Sequence, residues 1–240
     1  MKAYTQPAGR LLLRAARSLI RNALDFIYPP VCPLCDQANP DSAIPLCASC
    51  WTRLPRLSEP RLTPPDDGAH FDAAFAVFGY TPEVQQLVHE FKYRGWRGLA
   101  RPLGEEMGRI LSGIDGITTF EALVPVPLHR RRLRERGYNQ SLLLARAASR
   151  ICGVPVLSDL IVRRRETAPQ ARLPRSGRND NVRGAFAFCL RGNGRPPASA
   201  IVIDDVFTTG STLNECARVL KQGGIVKVVC ATLAHVDDTS

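Results

Sequence analysis

The sequence predicts an α/β fold in which a parallel sheet is flanked by helices, with a small metal-bound module at the N-terminus. Three observations lead there. Residues Ala200 to Thr212 read AIVIDDVFTTGST, an apolar run that meets two acids and a hydroxyl-rich turn; Leu213, Ala217 and Leu220 then recur at helical spacing up to Gly223-Gly224. Four consecutive apolar residues before such a turn fit a strand buried on both faces. The same order, strand then helix, recurs upstream at Phe71 to Phe91 and at Ala122 to Ile151. Finally, Cys32-Pro-Leu-Cys35 and Cys47-Ala-Ser-Cys50 form two C-x2-C pairs, eleven residues apart. A chain of 240 residues, 45% of them hydrophobic, has room for one sizeable domain and one such module.

The N-terminus comes first. Leu12, Leu13, Ala16, Leu19, Ile20, Ala23, Leu24 and Ile27 recur at helical spacing, with Arg14, Arg17 and Arg21 among them. This predicts a basic amphipathic helix over residues 1–28, packed on the protein's own body or laid on a membrane surface. The interrupting charges exclude a spanning segment and a secretory signal, so the chain is not expected to be an integral membrane protein. A cytoplasmic location is expected, at most peripheral to the inner face of the membrane. Cytoplasmic thiols stay reduced, which makes paired cysteines metal ligands rather than disulfides.

Residues 29–68 read as that metal module and a linker. Cys32, Cys35, Cys47 and Cys50 are predicted to hold Zn2+ tetrahedrally, with a redox pair or an iron–sulfur site as the alternatives. The segment between the pairs includes the turn residues Asn39-Pro40-Asp41-Ser42 and is too small to build an apolar core. The metal therefore supplies the folding energy, on the order of 10 kcal/mol, and the site is structural. Arg53 to Gly68 contains Pro55, Pro60, Pro64 and Pro65 and reads as an extended connection. Cys152, Cys189, Cys216 and Cys230 stand singly in apolar surroundings and read as core thiols.

Residues 69–240 read as the main domain. Phe71, Ala73, Phe75 and Val77 alternate as a strand, and Pro82 opens a helix with Val84, Leu87, Val88 and Phe91 on one face. It ends in Phe91-Lys92-Tyr93-Arg94-Gly95, where basic residues flank an aromatic ring. That arrangement either stacks on and neutralises a nucleotide or simply terminates a helix. Leu99, Leu103, Met107 and Ile110 mark another helix. After a strand at Ala122 to Pro127, Arg130, Arg131, Arg132, Arg134 and Arg136 crowd what reads as a loop before the helix Ser141 to Ile151. Its self-repulsion calls for an anion. Arg163, Arg164 and Arg165 open a second basic stretch that reaches Arg183 and reads as a long mobile loop. Between Glu121 and Arg183 there are 14 arginines, no lysine and five acids, within a chain of net charge +10. A polyanionic partner follows: pyrophosphate, nucleic acid, or both.

The turn after Asp204-Asp205 opens a helix, so its unpaired N–H groups and positive dipole end make an anion site. Acids at the strand end lie where ligands bind in open α/β sheets. A ribose 5-phosphate matches both, its phosphate on the turn and its hydroxyls on the acids. A Walker-type loop is excluded, since no lysine follows the turn before Lys221. Over its whole length the run resembles the 5-phosphoribosyl-1-pyrophosphate (PRPP) motif of type I phosphoribosyltransferases, which implies a sheet of that type.

Together with VPVPLHRRRLRERGYNQ, RRRETAPQARLPRSGRNDNVRGAF, FKYRG and CPLC…CASCW, the chain resembles the ComF family from about Phe26 to Leu233. The resemblance implies a zinc module joined to a type I phosphoribosyltransferase domain, acting in DNA uptake and natural transformation. It implies that Asp204 and Asp205, the catalytic candidates, hold the ribose hydroxyls directly or through Mg2+. Thr208, Thr209, Gly210, Ser211 and Thr212 would wrap the 5-phosphate. Arg130, Arg131 and Arg132 match the pyrophosphate loop, and Arg163, Arg164 and Arg165 the closing loop, as candidate ligands of pyrophosphate or DNA. Carboxylates would stabilise positive charge on the ribose as pyrophosphate leaves, and a closed loop would exclude water. No base-reading residue is recognisable. Two functions therefore stand at this point. One is phosphoribosyl transfer from PRPP to an unidentified acceptor. The other is a non-enzymatic competence factor that binds single-stranded DNA, with a membrane-associated DNA-uptake complex as a further expected partner.

Overall fold

The computed structural model describes residues 30–39, 44–62, 68–166, 182–190 and 194–236. The basic helix expected over residues 1–28 and most of the arginine-rich loop, residues 167–181, lie outside the described residues. The chain divides into two compact units, Met1–Thr52 and Arg53–Ser240.

In the first unit, Val31 and Ala38 form an antiparallel bridge. Within that turn the Cys32 N–H donates to Gln37 O and the Asp36 N–H to Cys32 O, both at 2.9 Å. Asp36 takes the left-handed conformation, φ 55°, which Asp tolerates better than most residues. Helix α1 (Ala48–Arg53) starts directly after Cys47, which brings Cys47 and Cys50 one turn apart. The two turns deliver four thiols to one point.

The second unit is built on a five-stranded sheet of order β1-β2-β7-β6-β3: β1 (Arg61–Leu62), β2 (Ala73–Gly79), β3 (Ala122–Pro125), β6 (Ser199–Phe207) and β7 (Lys227–His235). The last four run parallel, and β1 lies antiparallel on the β2 edge. A two-stranded hairpin, β4 (Ile161–Arg163) with β5 (Phe186–Phe188), stands apart from it. The helices are α2 (Pro82–Tyr93), α3 (Ala100–Ser112), α4 (Arg130–Arg136), α5 (Gln140–Cys152) and α6 (Ser211–Gln222). This is the parallel sheet flanked by helices that the sequence predicts.

Alternation along β6 divides the core. Ala200 and Val202 join Cys216, Ala217 and Leu220 of α6 and the β4–β5 hairpin in one apolar cluster. Ile201 and Ile203, of opposite parity, point to the other face, which α3 and α5 cover. Those two helices approach closely because α3 presents Gly104 and Gly108. A Cβ on Gly104 would stand 2.5 Å from the Ala147 Cβ, and one on Gly108 2.8 Å from the Ala148 carbonyl oxygen.

Three local expectations change. The acids do not follow a four-residue strand: β6 continues to Phe207, and Asp204 pairs in register with Thr232 of β7. The arginine-crowded segment after β3 is helix α4 rather than a loop. Arginine is a good helix former, Arg131 and Glu135 pair at i,i+4, and Gly137 in the left-handed region closes the helix by donating to Leu133 O. The proline-rich stretch is extended but bound to the sheet edge: the Leu57 N–H donates to Val77 O, and the Gly79 N–H to Pro55 O.

Candidate functional site

A cavity of about 200 Å3 opens at the carboxyl end of β6. Asp204 and Asp205 form its floor; Thr208, Gly210, Ser211 and Thr212 at the start of α6 form one wall. Lys92, Arg132, Arg136 and Arg163 supply four cationic groups around them.

Each acid is placed by a different helix. Asn139 caps α5, accepting from the N–H of Ser141 at 3.0 Å, while its amide donates to Val126 O. The cap fixes Ser141, fully buried, and its hydroxyl donates to Asp204 Oδ1 at 2.9 Å. The Asp205 N–H donates to the same oxygen. Burial, and then the neighbouring Asp205 carboxylate, raise Asp204 to about 7, against the pull of Lys92 and these hydrogen bonds. Asp205 belongs to α2: Lys92, in the last turn of that helix, places Nζ 2.7 Å from Asp205 Oδ1. Lys92 is held there because Phe91 is fully buried and its carbonyl accepts from the Tyr138 hydroxyl. Burial works against the Lys92 charge, but the two carboxylates outweigh it and raise its pKa. Asp205 Oδ2 is buried with no hydrogen-bond partner among the described residues.

The turn is shaped by Gly210, at φ 70°, which precedes the first turn of α6. A Cβ there would be strained and would meet the Phe207 ring at 2.8 Å. Thr209 does not line the cavity; its hydroxyl lies 2.7 Å from the Ser211 hydroxyl and braces the turn.

The six singled-out arginines separate. Arg132 and Arg163 reach the carboxylate cavity. Arg163 stacks over the Phe186 ring at 5.1 Å, and burial followed by Arg132 lowers its pKa. Arg130 and Arg164 line another cavity, beside His129 and Asp159. Arg131 pairs with Glu135 at 2.9 Å and with Glu166 at 3.7 Å, and Arg165 donates to Arg183 O. Sequence reasoning missed Arg136 and Ser141. With α4 helical, Arg136 lies one turn from Arg132 and shares its face. Ser141 had a weaker signal, its position two residues after the capping Asn139. Lys92 was legible only as part of the FKYRG run.

In the first unit the sulfur atoms of Cys32, Cys35, Cys47 and Cys50 all lie within 4.8 Å of one another, and those of Cys35 and Cys47 are 3.8 Å apart. Tetrahedral zinc with bonds of about 2.3 Å requires sulfur separations of this size. Burial opposes the Cys32 thiolate, but backbone hydrogen bonds at Cys47, Leu34 and Cys35 outweigh it and bring Cys32 down to about 7. The four thiols suit a structural zinc ion.

Residues 23–61 match the family described as a double zinc ribbon domain. That segment contains four cysteines, enough for one tetrahedral site. Over 228 residues the chain is 32% identical to DNA utilization protein YhgH of Salmonella typhimurium, covering 90% of this chain and 96% of the relative. The chain belongs to the ComF family. Competence protein F of Haemophilus influenzae is 29% identical over 80% of this chain and 86% of its own. Competence protein ComFC of Bacillus subtilis is 27% identical over 85% and 77%. Two solved structures overlap the chain at low scores. They are glutamine phosphoribosylpyrophosphate amidotransferase from B. subtilis complexed with ADP and GMP, and purine phosphoribosyltransferase from Pyrococcus horikoshii Ot3. The first has TM-score 0.39 and 16% identity over 60% of this chain and 30% of that one; the second has 0.35 and 13% over 57% and 84%. Scores of that size carry no argument, and the fold class of this ComF-family chain rests on its own strand order.

Proposed function

We propose that the chain binds PRPP at the carboxyl end of β6 and transfers its phosphoribosyl group to an acceptor in DNA uptake. The observation that carries this reading is the cavity itself: a buried carboxylate, Asp205, and a half-buried one, Asp204, meet a helix N-terminus and four cationic side chains in one place. The N-terminal turn of α6 suits the 5-phosphate. The acids suit the ribose hydroxyls, and Ser141 keeps Asp204 oriented toward them. One of the three Lys92 donors meets Asp205, leaving two for anionic oxygens of the ligand. Arg132 and Arg163 suit the pyrophosphate.

Mg2+ fits the donor set as well, because hard cations prefer oxygen and Asp205 Oδ2 is a buried oxygen without a hydrogen bond. When bound, it would add neutralising charge on the departing pyrophosphate. In the transfer, a nucleophilic atom of the acceptor bonds to C1′ as the C1′–O bond to pyrophosphate breaks. Pyrophosphate keeps the electron pair, and the acceptor's proton passes to water. Asp204 and Asp205 stabilise the positive charge that develops on the ribose, and the arginines stabilise the leaving anion. The relatives' names, competence and DNA utilization, support the setting in DNA uptake.

Calorimetry with PRPP and Mg2+ tests the ligand. Wild type is expected to bind, and Asp204→Asn with Asp205→Asn to lose binding while keeping its circular dichroism. Equal affinity in the two proteins would refute the site. Pyrophosphate release across a panel of acceptors tests the transfer. The second reading, a single-stranded DNA-binding factor, is favoured by Arg130 and Arg164 in a cavity that the acids do not line and that shares Arg163 with theirs. It predicts DNA affinity that falls steeply with salt and no acceptor-dependent pyrophosphate release.

A further inference from the structure

Tyr93 is 63% exposed at the end of a helix whose Phe91, two residues earlier, is fully buried. Its ring faces a cavity of about 480 Å3 that also presents Arg94, Arg136 and Tyr138. Lys92, Tyr93, Arg132 and Arg136 border both this cavity and the carboxylate cavity, so the two adjoin. The Arg136 guanidinium lies 5.2 Å from the Tyr93 ring centre and bonds to Gln140 Oε1, which holds it at the ring. The acid at this rim, Glu135, is already engaged by Arg131 at 2.9 Å. Tyr93 follows β2, on one flank of β6, whereas Arg163 belongs to the β4–β5 hairpin beneath α6. A ligand held by Asp204 and Asp205 with its pyrophosphate on Arg163 would have the Tyr93 cavity beside it, with Arg132 lining both cavities.

The chemistry of this second cavity is specific. The exposed Tyr93 ring meets the His89 ring only at a tilt of 44°, with centroids 5.1 Å apart, and so suits stacking with another planar ring. A neutral heterocycle needs matched hydrogen bonds, not three guanidinium groups; those suit a phosphate. We propose that the Tyr93 cavity binds a nucleotide unit, its base stacked on Tyr93 and its phosphate against Arg94 and Arg136, on the acceptor side of the phosphoribosyl site. The proposal rests on the PRPP reading for its role, but not for its binding.

Calorimetry on the full chain tests it with deoxyadenosine monophosphate, deoxyadenosine, adenine and inorganic phosphate. The monophosphate is expected to bind at least about 10-fold tighter than any of the other three. Tyr93→Ala should weaken it by about 5- to 150-fold, the range of one base–aromatic stack, while Tyr93→Phe retains it. Arg136→Gln should flatten the salt dependence by about one charge. Equal affinity for adenine, or monophosphate binding indifferent to Tyr93→Ala, overturns the proposal. A short oligodeoxyadenylate separates the sources. Competition with the monophosphate and the same Tyr93 dependence identify a unit within a strand; binding of the monophosphate alone identifies a free nucleotide. The Asp204→Asn, Asp205→Asn protein is expected to keep monophosphate binding and lose PRPP. If wild type fails to bind PRPP but binds the monophosphate through Tyr93, the PRPP reading falls and the nucleotide site stands. PRPP binding together with Tyr93-independent monophosphate binding has the opposite meaning.

Discussion

Asp204 illustrates how strongly one residue can be governed by its surroundings. Unfolded, its carboxyl titrates near 3.8; in the fold, burial and Asp205 lift it to about 7. Between those values the folded state holds a proton that the unfolded state has lost. Stability from this group is therefore fullest below about pH 4, declines as pH rises to about 7, and then levels off. Subtracting the melting temperatures of Asp204→Asn from those of wild type over pH 4 to 8 should reveal that decline; a flat difference would contradict it. Lys92 stabilises the site by charge pairing. Lys92→Gln removes the counter-ion of a buried carboxylate and should cost about 3 kcal/mol by urea denaturation, with Lys92→Arg recovering part. Neither effect was legible in the sequence, where Lys92 and Asp205 are far apart and share no motif.

At the scale of elements, α3 and α5 show packing overriding propensity. Alanine favours a helix over glycine by up to about 1 kcal/mol. At Gly104, however, the new methyl would meet the Ala147 Cβ at 2.5 Å and the Leu144 carbonyl oxygen at 2.7 Å, and backbone cannot swing aside. Gly104→Ala is therefore expected to lower stability by a net of about 2 kcal/mol, read from the urea midpoint. An unchanged or raised midpoint would mean that the helices can part without cost. Helix α4 holds the other lesson. Its sequence reads as a loop whose five arginines call for an anion. In the fold Glu135 pairs with Arg131, and Arg136 stacks on the Tyr93 ring, which spreads the charge over partners. Long, apolar-periodic helices such as α2 and α5 were legible because their signal repeats; a seven-residue charged helix has no apolar period to read.

Across the whole molecule, the two units draw stability from different sources. The sheet unit has an apolar core on both faces, whereas the first unit gathers four thiols within 4.8 Å of one another, which suit a zinc ion whose bonds would supply its folding energy. Cys32→Ser is expected to lose zinc, measured by elemental analysis, and to remove a chelator-sensitive unfolding step while the main melting transition persists. A full zinc content in that variant would show that the four thiols do not act as one site. The described residues include no helix long and apolar enough to cross a membrane.

The sequence by itself determined the strand–turn–helix that carries Asp204 and Asp205, the cysteine quartet, and the order of the main strands and helices. Each of these is local: its pattern lies within about twenty residues and is set by backbone periodicity, turn chemistry or ligand spacing. Only the tertiary structure decided that Asp205 faces Lys92, that Ser141 holds Asp204, and that of six candidate arginines Arg132 and Arg163 line the cavity of the acids. Only the structure, too, brought Arg136 against Tyr93 beside them. Those choices depend on which strand edge each helix returns to and on which face of a short helix points inward. Such pairings join residues separated by forty to more than one hundred positions, and no local preference of the chain encodes them.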